Sequence, residues 1–227
     1  QKLCEFALVL ADFSRGRYPV AQPLFRGPSD LINAVMGHEN AVIGFIETPD
    51  LCRQIIERCT RIFTEVMEEY NKLLPRVHEG WIIGLYNIWT PEKCCRFQED
   101  ATALYSPNIY RKFVRCCDEA IAGRWKYNMI HTHPHSFFVL DELLQVEPIN
   151  CVQVSLDSPK QAIELIPQLQ KIQNAGKCLL VEGWIPWDTL VELTKVLENK
   201  GLFYQTKAET VEKAQEFMEK FKSYFRP

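Results

Sequence analysis

The chain has 227 residues, 47% of them hydrophobic, enough for a sizeable buried core. A formal net charge of -3 and a pI near 6.0 give no basic footprint of the kind nucleic-acid binding leaves. No apolar stretch approaches the ~20 residues of a spanning helix. Gln1 to Phe13 lacks the pattern of a secretory leader, so the expectation is a cytoplasmic protein with neither nucleic-acid nor membrane partners.

Along the chain, short β-rich runs alternate with longer amphipathic ones, the α/β signature. Residues 1–11 read as a helix with Leu3, Phe6, Ala7 and Leu10 on one face. Tyr18 to Phe25 reads as a strand. Gly27-Pro28-Ser29 breaks it and starts a helix that Gly37 ends. Pro49 opens the clearest helix, with Leu51, Ile55, Cys59, Ile62, Val66 and Tyr70 at steps of three and four. Strands are expected at Trp81 to Ile88 and at Cys94 to Gln98. Ser106-Pro107 caps a helix carrying Ile109, Phe113, Cys117 and Ile121.

Tyr127 to Ile130 is a short strand running into His131-Thr132-His133-Pro134-His135. Cys151 to Leu156 is another, ending at Asp157-Ser158-Pro159. Ile163 to Ile172 is helical, kinked or split by Pro167. Cys178 to Val181 is a strand ending in Glu182-Gly183-Trp184. Trp187 to Leu197 is a helix, Leu202 to Gln205 a short strand, and Glu209 to Phe225 a last helix with Val211, Ala214, Phe217, Met218, Phe221 and Tyr224 inward. The later strands are continuous apolar runs, as parallel strands covered on both faces are. Right-handed crossovers then leave an open doubly wound sheet or a barrel, and no glycine fingerprint follows the first strand. The fold expected is a single (β/α)8 TIM-type barrel domain over residues 1–227. About seven strands and a first residue of Gln rather than Met suggest that it is truncated at its amino terminus, the C-terminal portion of a longer chain. Nine cysteines, an odd number that includes the adjacent pairs Cys94-Cys95 and Cys116-Cys117, read as reduced thiols.

Strand after strand ends in a chemically capable group: Glu99-Asp100, His131 with His133 and His135, Asp157, and Glu182. In a parallel barrel all these ends share one face. Alternate residues of an extended segment share a side, so the three histidines are expected to face one cavity, where imidazoles ligate zinc or hydrogen-bond. Glu99 and Asp100 offer acid/base chemistry or pairing with a substrate cation. Asp157 also reads as a helix N-cap. Trp81, Tyr86, Trp89, Trp184 and Trp187 read as pocket walls or as core. Arg26 suits a substrate carboxylate or a structural ion pair.

These residues resemble a known family. Phe25-Arg26-Gly27-Pro28-Ser29-Asp30-Leu31 with Met36-Gly37, the run from Glu99-Asp100 to Ser106-Pro107, Met129-Ile130-His131, Ala175-Gly176-Lys177, and Thr206 to Ala214 are together similar to the uroporphyrinogen decarboxylase superfamily over residues 18–225. The resemblance implies a barrel, and either porphyrinogen decarboxylation or zinc-dependent methyl transfer involving corrinoids (cobalamin) and thiols. The decarboxylase's arginine-rich amino-terminal motif and its late Gly-His motif have no match, which points to the methyltransferase branch. There His131 matches, His133 stands where a cysteine is usual, and Tyr204-Gln205-Thr206 supplies no thiol. A zinc site would then need His131, His133 and Glu182. The implied enzyme uses His131, His133, Glu99, Asp100 and Glu182 in catalysis. Arg26, Tyr86, Asp157 and Trp184 hold a small-molecule substrate, and a corrinoid protein is the partner. A decarboxylase (lyase) with Arg26 on a substrate carboxylate, and a non-catalytic barrel remnant that binds a partner, are the alternatives.

Overall fold

Short apolar strands alternate with helices along most of the described chain. The computed structural model describes residues 2–158 and 161–225. It divides into two compact units, residues 1–152 and 153–227.

The first unit opens with α1 (Lys2–Ser14), β1 (Phe25–Arg26), α2 (Pro28–Met36), α3 (His38–Glu47) and α4 (Pro49–Leu73). The expected strand from Tyr18 shrinks to Phe25–Arg26, since Pro19 and Pro23 carry no N–H to donate to a ladder. Gly37, at φ +83°, turns the chain from α2 into α3, a helix the hydrophobic pattern did not announce. The Trp81 to Ile88 strand is corrected to a separate antiparallel hairpin, β2 (Trp81–Ile83) and β3 (Ile88–Thr90). Leu85 and Asn87, both at positive φ, reverse the chain between them.

Next come β4 (Cys94–Gln98), a 3-10 turn at Asp100–Leu104 and α5 (Pro107–Ile109), whose Ser106 hydroxyl caps it by accepting from Ile109 N. A π turn, Tyr110–Val114, leads into α6 (Arg115–Ala122). β5 (Tyr127–Thr132), a 3-10 turn at Pro134–Val139 and α7 (Leu140–Leu143) follow. β6 (Cys151–Ser155) spans the boundary between the units. The second unit continues with α8 (Gln161–Glu164), α9 (Ile166–Asn174), β7 (Cys178–Gly183), α10 (Trp187–Val196), β8 (Leu202–Thr206) and α11 (Val211–Tyr224). Pro167 splits α8 from α9 and sits in the first turn of the latter, where its missing N–H costs nothing. Pro159 lies outside the described residues.

The six long-range strands form one parallel sheet in the order β1-β4-β5-β6-β7-β8, with helices between successive strands. This is an α/β architecture of the TIM-barrel type. Register places Phe25 opposite Phe97 and Arg26 opposite Gln98, then Phe97 opposite Ile130 and Gln98 opposite His131.

Side chains alternate between the two faces of a strand. Phe25 and Phe97 therefore share the face that meets α4, with ring centroids 5.7 and 6.0 Å from Phe63. Burying each such ring stabilises the unit by roughly 1.5–3 kcal/mol. The face α4 turns to this layer is Cys52, Ile56, Cys59, Phe63, Met67 and Tyr70, while Leu51, Ile62 and Val66 are exposed. The period was right and the face was off by one residue. The inward face expected for α11 is likewise open, with Val211, Met218 and Tyr224 exposed.

Candidate functional site

The register row Arg26–Gln98–His131 runs across the carboxyl ends of β1, β4 and β5. Side chains in such a row lie on one face, so parity along β4 decides what joins it. Gln98 does, and Asp100, in the 3-10 turn after β4, meets it through the Gln98 amide. Glu99, between them, points the other way.

That parity corrects the role expected for Glu99. It is 1% exposed, and its Oε2 accepts from Ser29 N at 2.8 Å, in the layer between the sheet and α2. Burial raises its pKa well above the ordinary carboxylate range, with the charges of Asp118 and Asp30 adding to the shift. Asp118, on α6, accepts from the Tyr110 hydroxyl at 2.7 Å and is pushed up to about 7, again by burial first. The two remaining buried oxygens, Glu99 Oε1 and Asp118 Oδ1, face no donor of another residue. One proton shared between the two carboxyls satisfies both. Glu99 thus sits in the layer between the sheet and α2 rather than beside Asp100 and His131.

On the other face, Asp100 Oδ1 lies 3.4 Å from His131 Nε2. His133 stands two residues on, its ring edge-on to that of His131 with centroids 4.8 Å apart. One ligand atom from each of Asp100, His131 and His133 falls within 4.8 Å of the others. His131 is buried and the Asp100 side chain is 42% exposed, so the cluster is accessible from one side. Asp100 Oδ1 itself is buried yet accepts no hydrogen bond. The other oxygen, Oδ2, takes 2.9 Å from Gln98 Nε2, which also reaches Asp30 Oδ2 at 3.3 Å. Asp30 Oδ1 accepts from Ala101 N at 2.8 Å. Burial raises the Asp30 pKa, and the Asp100 charge adds to the rise.

Two nitrogens and one carboxylate oxygen at such spacing suit a divalent transition ion, whose zinc bonds to these donors are about 2.0–2.2 Å. The orphaned Oδ1 is the atom that a bound cation would satisfy, so the residues present fit the metal. Asp100 also lines a cavity of about 350 Å³ with Arg26, Asp30, Asn33, His38 and Gln98.

Other expected site residues lie on different elements. His135 lies beyond the end of β5, exposed on the 3-10 turn, because Pro134 ends the extended run. Tyr86 sits on the hairpin, buried, with its hydroxyl 3.5 Å from Arg96 Nη2. Glu182 and Asp157 belong to the second unit. There Glu182 accepts from Gln153 Nε2 at 3.2 Å and lies 3.7 Å from Lys207 Nζ. Asp157 is exposed, and its backbone N donates to Gln161 Oε1 at 2.8 Å. Trp184 borders a cavity of about 620 Å³ with Trp187, Lys207, Lys213, Phe217 and Met218. Two residues escaped the sequence reading. Gln98 was detectable as the residue of equal parity before Asp100, and Asp30 from its place in the first turn of a helix that follows a strand end.

No family model and no curated protein matches the sequence. Among solved structures, a methyltransferase from Methanosarcina mazei is similar over 97% of this chain and 64% of that chain, with a TM-score of 0.68 and 12% sequence identity. The chain spans less than two thirds of that protein's length, and at this identity the likeness is one of fold.

Proposed function

We propose that this chain is the barrel portion of a methyltransferase-like enzyme in which Asp100, His131 and His133 hold a zinc ion beside a small-molecule cavity. The observation that carries the reading is the meeting of these three ligand atoms within 4.8 Å at the carboxyl ends of parallel strands, where barrels of this type keep their chemistry. The likeness in fold to a methyltransferase supports the reaction class. When bound, zinc supplies the Lewis acidity that keeps a substrate thiol as thiolate, the nucleophile that accepts a methyl group. Asp100 replaces the expected Glu182 as the third ligand. Gln98, through Asp100 Oδ2, holds the carboxylate with Oδ1 toward His131. Arg26 gives the cavity a cation for an anionic substrate. A corrinoid protein is the methyl source, and nine cysteines, an odd number with two adjacent pairs, favour a reducing compartment such as the cytoplasm.

The test is metal content followed by turnover. The purified protein is expected to carry zinc, to lose it in His131→Ala and His133→Ala, and to methylate a small thiol from methylcobalamin only when loaded. Iron in place of zinc refutes the metal assignment, since two imidazoles and a carboxylate also suit ferrous iron. Undiminished methyl transfer by His131→Ala refutes the site. The lyase reading draws on Arg26 in the same cavity; carbon dioxide release from a panel of carboxylated substrates, without methyl transfer, establishes it instead.

A further inference from the structure

Two residues before Gln98, on the same face of β4, stands a buried cation. Arg96 is 3% exposed. The Gln22 side-chain amide fixes its backbone, donating to Arg96 O at 2.5 Å and accepting from Arg96 N at 2.9 Å. The guanidinium is less well served. Nη1 reaches Gln98 Oε1 at 3.5 Å and Nη2 reaches the Tyr86 hydroxyl at 3.5 Å, both beyond the ordinary 2.7–3.2 Å range. Nε, shielded from solvent, has no acceptor among the described residues. The Tyr86 ring offers its face at 5.7 Å from the centroid.

Other arginines of this unit meet carboxylates: Arg111 and Arg115 share Glu142, and Arg124 meets Glu68. Arg96 has no such partner among the described residues. Asp30 and Asp100 are held off by the Gln98 amide, which turns its nitrogen to them and its oxygen to the guanidinium. A guanidinium presents five donors in a planar fork, and a buried charge is costly until it is paired.

We propose that Arg96, flanked by Tyr86 and Gln98, anchors an oxyanion subsite that takes the carboxylate of a compact organic acid. The planar fork matches a carboxylate bidentately. The nearby Asp30 and Asp100 disfavour a dianion such as phosphate by like-charge repulsion. Gln98 touches Arg96 and lines the 350 Å³ cavity, so one side chain stands between that cavity and the guanidinium. Gln98 joins the subsite to Asp100, while its anchor, Arg96, is not one of the three zinc ligands proposed above.

The experiment titrates chelator-treated protein with carbon-13 acetate, followed by NMR, with chloride as the control anion. Wild type is expected to bind saturably at one site. Arg96→Met, which keeps the stem and removes the charge, is expected to weaken binding at least tenfold. Arg96→Lys, which keeps the charge without the fork, should fall between, and Arg124→Ala, at a surface ion pair with Glu68, should bind like wild type. Should Arg96→Met fail to fold, protection of wild-type Arg96 from phenylglyoxal by acetate, read by peptide mass, replaces it. Absence of saturable binding, equal binding by Arg96→Met, failure of acetate to protect Arg96, or loss of binding in Arg124→Ala overturns the assignment. Failure of zinc to bind leaves the acetate result unchanged, so the two readings fall separately.

Discussion

Replacing Gln98 with Leu isolates the contact that orients the carboxylate ligand. The amide nitrogen lies 2.9 Å from Asp100 Oδ2, and it also separates Asp100 from Asp30. A hydrogen bond to a charged group contributes about 1.5–3 kcal/mol. Asp100 is 42% exposed, so water replaces part of it, leaving about 1.5–2 kcal/mol. Without the amide the two carboxylates repel directly, and Asp100 rotates away from His131. At about 1.4 kcal/mol per tenfold, Gln98→Leu is expected to weaken zinc binding roughly 10–30-fold, within the range found for residues behind metal ligands. A competition titration against a chromogenic chelator measures it, with circular dichroism as the check on folding. A folded Gln98→Leu protein whose zinc affinity stays within twofold of wild type would refute the ligand geometry argued for Asp100.

Three further outcomes are expected. A Cβ at Gly27 would lie 1.7 Å from Glu99 Oε1 and 2.9 Å from the backbone oxygen of Gln98, so Gly27→Ala must displace a buried acid and should lower urea stability by about 2–4 kcal/mol; a loss under 1 kcal/mol, roughly the scale of a surface change, contradicts the packing. Arg111 holds the Glu142 carboxyl below its usual range, helped by Arg115. A depressed acid gives stability above its unfolded pKa, near 4.3, that is lost as pH falls through its folded value. Glu142→Gln should therefore flatten the acid limb of the stability curve between about pH 5 and 3 by about 1 kcal/mol, a value kept low because Arg111 is half-exposed. The Cys117 hydrogen bond, with the Arg53 charge, lowers the exposed Cys116 thiol to about 6. Iodoacetamide at pH 7 should label Cys116 before the equally exposed Cys178, and peptide mass mapping that finds Cys178 first would contradict this.

Much of this protein is written locally. The Ser106-Pro107 cap, the break at Pro167, the strands Cys94–Gln98, Cys151–Ser155 and Leu202–Thr206, and His131 at a strand end all follow from neighbouring residues alone. They do so because capping, proline chemistry and β-branched runs act within a few positions. Strand parity was legible only as far as Gln98, since Asp100 opens the 3-10 turn beyond β4 and is held by the Gln98 amide.

What the sequence determined by itself was the alternation of strands and helices over most of the chain, the parallel α/β class, and the position of His131 and His133 where β5 ends. Which side of α4 faces the sheet was decided only in three dimensions, because its apolar residues span nearly half the circumference and the neighbour selects which edge of that arc is buried. The reversal at Leu85 and Asn87, the choice of Asp100 over Glu99, and the lack of a carboxylate partner for Arg96 among the described residues were decided there too. Each depends on groups far apart in sequence coming within a few ångströms, and periodicity within one segment carries no information about that distance.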